Sequence, residues 1–200
     1  MTGSCMQVMI MKTVIPVNMN RKEQYMDSDS YSQKQLDDLF LQMIQFNEKD
    51  PKRIQHLMKV HSFARIIGKE EQLDETTQFI LEAAAYTHDI GIRPAEEKYG
   101  RCDGKLQEEE GPIYAQHILS ELGFENYMIE RICYLIGNHH TYDNIEGLDY
   151  QILVEADFLV NLYEDEANRS ARDCAYKKIF RTEAGKRIFC DMFGYEEEEK

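Results

Sequence analysis

The sequence lacks the long hydrophobic runs that are typical of membrane proteins. No apolar stretch in its 200 residues approaches the roughly 20 residues that are needed to span a bilayer. Residues 6–17 are apolar but short, are interrupted by Lys12, and have neither a basic leader nor a clear cleavage site of small residues. We therefore expect no membrane association and no signal peptide.

Cysteine pairs are also missing. The five cysteines are odd in number, lie at wide and irregular spacing, and include no Cys-x-x-Cys motif. This pattern argues against a disulfide framework and against a zinc site built from thiolates. Free thiols in a reducing compartment are the simpler interpretation, and they predict a cytoplasmic protein.

Basic charge is scarce. The sequence has 23 Lys and Arg residues against 37 Asp and Glu residues, and its formal net charge is −14. This excess disfavours a nucleic-acid polymer or an anionic membrane as a partner over a broad surface. A small phosphorylated substrate stays open, because a local basic or metal-lined pocket can bind an anion on an acidic protein. Homo-oligomerisation also stays open.

The sequence does contain apolar residues at helical spacing. Apolar residues make up 42% and charged residues 30% of the chain, which indicates a soluble globular domain with a hydrophobic core. Few segments alternate with a period of two, so we predict an all-α bundle. Residues 1–31 show no sustained period and are predicted to be a loosely ordered extension before a helical domain at residues 32–200.

Capping residues and apolar periodicity set the predicted helices. Asp50 followed by Pro51 is one start signal, and Asp74 is another. The predicted helices cover residues 32–46, 50–68, 74–89, 109–122, 125–138, 149–163 and 182–193, with a short helix between 165 and 179. Residues 90–106 contain Gly, Pro and mixed charge, so we predict a long loop there, and such loops are often functional.

Polar residues interrupt the apolar face of the second predicted helix. His56 lies on the same face as Val60 and Ile67, and Arg53, one turn earlier, also points inward. A lone inward histidine is more often a hydrogen-bonded core residue than a metal ligand. A buried arginine needs a partner for its charge, which keeps a functional interpretation open for this face.

The sharpest feature is the pair His88 and Asp89, which ends a nearly all-apolar helix just before Gly91. Adjacent residues on a helix diverge by about 100°. Near a helix end, however, the backbone can bend enough for both side chains to reach one ion. The simpler alternative is that the two residues only close the helix, with Gly91 as the stop signal.

Two later helices carry similar anomalies. Asp157 stands among apolar neighbours, and a carboxylate buried there without a partner would cost several kcal/mol, whereas a metal ion or a buried arginine would stabilise it. We expect Glu155 on the solvent side of that helix. His139 and His140 continue the apolar face of the helix before them, which suits metal ligands. Alternatively, they are cations favoured by a helix C-terminus.

The order of these residues adds specificity: His, His-Asp, His-His and Asp lie in separate helices. Mixed imidazole and carboxylate ligands suit Fe, Mn, Co, Ni or Zn better than Ca or Mg. At His56, His88, Asp89 and Asp157 the chain resembles the HD-domain superfamily of metal-dependent phosphohydrolases. The resemblance covers roughly residues 33–165.

The resemblance implies an all-helical core around a metal site and hydrolysis of phosphomonoesters or phosphodiesters, often of nucleotides. It implies that those four residues hold the ion and that Asp89 also orients the nucleophile. We assign a second metal or the substrate to His139, His140, Glu108 and Glu110. We assign phosphate binding to Arg53 together with Arg93, Lys98 or Lys105.

Departures from the family's patterns narrow these expectations. Binuclear branches carry another histidine before the helix that follows the long loop, and this chain has residues 107–110 (Gln-Glu-Glu-Glu) there, so we favour one ion over two. Ile92 and Arg93 stand where the alarmone hydrolases resembling this family carry acids. The proton donor must then come from elsewhere, with Glu96, Glu97, Glu108 and Glu110 as candidates. The alternative functions are a non-catalytic metal- or nucleotide-binding domain with a regulatory role, and a metal-free buried polar network.

Overall fold

The computed structural model describes residues 33–195. Within this range the chain consists of helices and connecting segments without a strand, which confirms the all-α prediction. Residues 1–32 and 196–200 lie outside the described range, and the extension predicted at residues 1–31 lies there too. Among the helices of the described range, none is both long and apolar enough to cross a membrane.

Nine α-helices and one 3₁₀ turn make up the described range. They are α1 (Gln33–Phe46), α2 (Pro51–Glu70), α3 (Glu75–Thr87), the 3₁₀ turn (His88–Gly91), α4 (Ile92–Tyr99), α5 (Gly104–Glu121), α6 (Asn126–Ile136), α7 (Leu148–Glu164), α8 (Arg169–Ile179) and α9 (Glu183–Phe193).

The starts of α2 and α3 follow from local chemistry. The Asp50 side chain accepts a hydrogen bond from the N–H of Arg53, and Pro51 occupies the first helical position, where its missing N–H costs nothing. The Asp74 side chain likewise accepts from the N–H of Thr77. Both start signals predicted from the sequence are therefore confirmed.

The centre of the bundle is formed by α2, α3 and α7, which pack against one another. The helix α3 is buried continuously from Phe79 to Thr87, and α7 is buried at most of its positions. On the other side, α5 packs on the 3₁₀ turn and on α6. The C-terminal end of α3 therefore lies in the interior, where Thr87 and His88 are fully buried and burial strengthens electrostatic interactions.

The prediction of a long loop at residues 90–106 is wrong. This segment contains α4 and the start of α5. Pro94 lies in the first turn of α4, and Gly100 ends that helix in the left-handed conformation, with φ of 66°. Pro94 and Gly100 indicate a loop only if both are counted as helix breakers. Here they mark the start and the end of a short helix.

Glu155 is another correction, because it is fully buried and not on the solvent side. One of its carboxylate oxygens accepts hydrogen bonds from the N–H groups of Arg181 and Thr182 at 2.6 and 2.9 Å. The Gln151 amide donates to the same oxygen at 2.8 Å. The carboxylate thus replaces backbone partners for the segment between α8 and α9 and fastens it to α7.

Candidate metal centre

Four side chains from α2, the 3₁₀ turn and α7 meet inside the bundle. Nε2 of His56 lies 3.3 Å from Nε2 of His88 and 3.2 Å from Oδ1 of Asp157. Oδ2 of Asp89 lies 3.5 Å from each of the two Nε2 atoms. The structure therefore brings together the four residues that the sequence predicts as metal ligands, at a point where the side chains are between 0% and 14% exposed.

In the neutral tautomer that carries the proton on Nδ1, each of the two histidines keeps a lone pair on Nε2. Nδ1 of His88 donates to the carbonyl of Ala85 at 3.0 Å, and Nδ1 of His56 lies 3.2 Å from Oε2 of Glu164. With both Nδ1–H groups engaged in this way, each Nε2 presents its lone pair to the other and to the two carboxylates. Such a cluster of donor atoms repels itself unless a cation or protons lie within it.

The spacing of these atoms suits a single transition-metal ion. Nitrogen and oxygen ligands lie about 2.1 Å from such an ion, which puts neighbouring ligand atoms about 3.0–3.4 Å apart in octahedral and tetrahedral geometry. The two Nε2 atoms lie 3.2 to 3.5 Å from each other and from the nearest oxygens of Asp89 and Asp157. Two imidazoles and two carboxylates also form the donor set expected for Fe, Mn, Co, Ni or Zn.

The electrostatics of the four groups reflect their mutual attraction. Burial opposes ionisation of Asp157 and Asp89, but the facing imidazoles of His56 and His88 outweigh it and lower the pKa of both carboxyls. Burial also opposes protonation of His56, but Asp157, Asp89 and Glu164 together raise its pKa to about 9. In the protein without metal, protons and a cation would therefore compete for the same lone pairs.

A second group of donor atoms adjoins the first through Asp89, which groups with His139 and His140. Oδ1 of Asp89 lies 3.6 Å from Nε2 of His139, while Oδ2 faces the first group. Nδ1 of His139 donates to the carbonyl of Ile136 at 2.8 Å, and its buried Nε2 has no hydrogen-bond partner. This unpartnered nitrogen is therefore a candidate contact for a further cation or a substrate group.

His140, the third member of this group, is held from two sides. Its Nε2 lies 3.0 Å from Oε1 of Gln107, and its backbone N–H donates to Oε1 of Glu108 at 3.0 Å. Burial, together with the neighbouring His139, lowers the pKa of His140 to about 4, so the ring is neutral at neutral pH. The same Glu108 oxygen accepts from the Thr141 hydroxyl. Glu108 thus supports the segment that carries both histidines.

Arg53 is the predicted phosphate-binding residue that lies beside the ligands. It stands one turn before His56 on α2, and its side chain is 16% exposed. Its guanidinium lies 3.4 Å from Oε1 of Glu96 and 3.5 Å from Oδ2 of Asp50. Both contacts are long, so the guanidinium is not committed to a close bidentate pair.

The other predicted cations make contacts away from the four ligands. The partners of Arg93 are the Phe46 carbonyl and Glu97, that of Lys98 is Glu110, and that of Lys105 is Glu109. Glu110, predicted for a second metal or for the substrate, is also bound by the Tyr99 hydroxyl at 2.9 Å. These contacts do not bring the three cations or Glu110 together with the predicted ligands.

The sequence interpretation missed two residues of the site, both on α7. Asn161 donates to Oδ1 of Asp157 at 2.9 Å, and Glu164 lies against His56. They follow Asp157 by four and seven residues, which puts all three side chains on one face of the helix. That periodicity is the signal that could have identified them.

A pair of glycines places the 3₁₀ turn close to α5. A β-carbon at Gly91 would lie 2.4 Å from the carbonyl oxygen of Gln107, and one at Gly111 would lie 2.6 Å from the Ile136 side chain. Contacts this short exclude any side chain at Gly91 without movement of the backbone.

Comparisons with known proteins identify the family of the chain. The family model described as "HD domain" matches residues 53–179, which is more than half of the chain and includes all four predicted ligands. The crystal structure of a predicted HD superfamily hydrolase from an uncultured Thermotogales bacterium has a similar fold, with a TM-score of 0.55 and 24% sequence identity over 81% of this chain and 85% of the other. The search of curated proteins found no match. On the extent of the family match, the chain belongs to the HD-domain family.

Proposed function

We propose that the protein is a metal-dependent phosphohydrolase that acts on a small phosphorylated substrate. The observation that carries the proposal is a buried pair of imidazole Nε2 atoms that lie 3.2–3.5 Å from each other and from one oxygen of each of two carboxylates. His56, His88, Asp89 and Asp157 would hold one divalent ion of Fe, Mn, Co, Ni or Zn. When bound, such an ion supplies Lewis acidity toward a phosphoryl oxygen and toward a water molecule.

In this proposal the surrounding residues orient the attacking water, contact the substrate and bind its phosphate. Asp89 shares its two oxygens between the first group and His139, so Oδ1 is placed to orient an attacking water. The neutral His140 ring and the unpartnered Nε2 of His139 offer contacts to the substrate. Arg53 is placed to bind a phosphate oxygen, because its long contact with Glu96 can be exchanged for a closer one.

A nucleotide is the substrate class with additional support. Tyr142 follows the two histidines in the chain and is 42% exposed. Its ring meets that of Phe158, the neighbour of Asp157, edge to face at 5.2 Å. An exposed aromatic ring beside the ligands can stack on a nucleobase. The net charge of −14 supports a small molecule over a nucleic-acid polymer.

The test is turnover by metal-depleted protein reloaded separately with Mn, Co, Ni, Zn or anaerobic Fe(II). The first substrates are p-nitrophenyl phosphate and bis-p-nitrophenyl phosphate, followed by phosphate release from nucleotides and sugar phosphates. We expect turnover with at least one metal and its loss in Asp157→Asn, which keeps the side-chain volume and removes the charge.

The second candidate is a non-catalytic metal- or nucleotide-binding domain. The observation that favours it is the absence of acidic residues three and four positions after Asp89, where Ile92 and Arg93 stand. In the structure Arg93 binds Glu97 and the Phe46 carbonyl and does not contact the ligands. A protein that retains one metal ion and hydrolyses none of the substrates with any metal would establish this function instead.

A further inference from the structure

We propose that Glu164 is the positioning residue that aims His56 at the metal site, an inference that rests on the proposed ligand set. Oε2 of Glu164 lies 3.2 Å from Nδ1 of His56, on the side of the ring opposite to the other ligands. The carboxylate therefore accepts the Nδ1–H and keeps the Nε2 lone pair directed at His88 and Asp157.

The position of Glu164 follows from the register of α7. Asp157, Asn161 and Glu164 are spaced by four and three residues and share the face that packs against α2. Asn161 donates to the Asp157 oxygen that lies nearest to His56, and Glu164 holds the other end of the His56 ring. One face of α7 thus supplies a ligand and two supports for ligands.

Glu164 is itself fixed from α2. Its other oxygen accepts from Nζ of Lys59 at 2.5 Å, and its side chain is only 11% exposed. Lys59 follows His56 by three residues, so the carboxylate lies between two neighbouring side chains of one helix face. A carboxylate held at both oxygens has little freedom to rotate away from the histidine.

The acceptor chemistry distinguishes His56 from the other histidines of the site. Nδ1 of His88 and Nδ1 of His139 donate to backbone carbonyls, which are neutral. Nδ1 of His56 faces a carboxylate, whose negative charge makes the opposite nitrogen a stronger donor to a cation. We therefore assign to Glu164 a contribution to metal affinity through the ring of His56, without contact with the ion.

The experiment compares Glu164→Ala and Glu164→Gln with the unaltered 200-residue chain. Affinity for Co²⁺ and Zn²⁺ is measured by competition with a chromophoric chelator. We expect Glu164→Ala to weaken binding by about 10- to 100-fold, the usual cost of removing such a partner. Glu164→Gln should restore part of the loss, because its amide oxygen still accepts the Nδ1–H.

A matched control exists on α3, where Glu82 faces the second buried histidine of α2. Glu82 binds His61 at 3.0 Å and is 5% exposed, but this pair is not among the metal-binding groups. Glu82→Ala should leave metal affinity within about twofold while removing the same kind of contact. A general effect of lost packing would weaken binding in both variants, and that result would overturn the proposal.

A second readout reports on the ring itself. Long-range ¹H–¹⁵N spectra of the Zn²⁺-loaded chain distinguish which His56 nitrogen carries the proton. We expect a shift of the Nδ1 signal in Glu164→Ala and its partial return in Glu164→Gln. Unchanged affinity and an unchanged His56 signal would overturn the role of Glu164 alone, whereas an unaltered chain that binds no metal would overturn the ligand set as well. Metal binding without turnover would count only against the proposed hydrolysis.

Discussion

Two buried histidines on α2, five residues apart, each face a glutamate, yet their surroundings differ completely. His56 meets Glu164 of α7 through Nδ1 at 3.2 Å, and His61 meets Glu82 of α3 through Nε2 at 3.0 Å. Both histidines are less than a tenth exposed. Neither burial nor a carboxylate partner therefore distinguishes the histidine of the metal site from the other one.

The two histidines differ in what the ring nitrogen that does not face the glutamate is directed at. Nε2 of His56 points at the cluster of His88, Asp89 and Asp157.

The pair of His61 and Glu82 is surrounded by aromatic and polar side chains that contact both of its members. The ring of His61 stacks on Tyr86 at 3.8 Å with an interplanar angle of 8°. Glu82 is satisfied locally by the Gln78 amide and lies 3.7 Å from the Arg65 guanidinium. This pair satisfies itself within α2 and α3 and ties the two helices together, whereas the His56 pair leaves donor atoms open for a ligand.

The largest expected difference between the two histidines is in metal affinity, and it is measured by replacing each histidine in turn. His56→Ala should lower Zn²⁺ affinity by more than about 100-fold, because loss of a ligand exceeds loss of its supporting partner. His61→Ala should retain the ion. Metal content after dialysis, measured by elemental analysis on both variants, checks this, and equal retention would mean that His56 is not a ligand.

The next effect concerns stability. In the metal-free chain, Glu82→Ala should lower the free energy of unfolding by about 2 kcal/mol, because it leaves the buried His61 without its partner. Urea denaturation followed by circular dichroism measures the change. A loss below about 0.5 kcal/mol would show that the pair does not tie α2 to α3.

The pH dependence of metal binding should follow from His56. Its pKa of about 9 in the metal-free protein means that the ring is protonated at neutral pH and that an ion must displace the proton. Metal affinity should therefore fall as pH falls, by up to about tenfold per unit below pH 9 for each proton released. Chelator competition between pH 6.5 and 8.5 tests this, and His61→Ala should show the same slope. A flat profile contradicts the prediction.

The smallest change in metal affinity is expected from substitution of Lys59. It binds the remote oxygen of Glu164 but is 39% exposed, so solvent screens the contact. Lys59→Met should change metal affinity by about threefold or less. Arg65→Met, which removes the corresponding cation beside Glu82, should leave the affinity unaltered. An effect of Lys59→Met as large as that of Glu164→Ala would place the lysine itself in control of His56.

The all-α fold, and the four residues that the structure brings together, could be predicted from the sequence because their signals are local. Asp50 with Pro51 marks a helix start within two residues, and His56 and Asp157 are visible as polar residues on apolar faces. The pair His88 and Asp89 stands at the end of an apolar helix. Each of these signals lies within about two turns of chain.

The parts that were not predicted depend on distant partners. Glu155 is buried because backbone N–H groups 26 and 27 residues later bind it. Glu164 meets His56 across 108 residues of sequence. Lys98 pairs with Glu110, so its charge is neutralised away from the ligands. A pattern along one helix cannot show which side chain another helix brings opposite.

The glycine contact between the 3₁₀ turn and α5 couples the site to its wall. Because a β-carbon at Gly91 would overlap the backbone of α5, the turn and that helix are in direct backbone contact at this position, with no side chain between them. A displacement of α5 is therefore transmitted directly to the neighbouring Asp89. Since α5 also carries Gln107 and Glu108, which hold His140, anything that pushes on this helix moves both groups of donor atoms at once.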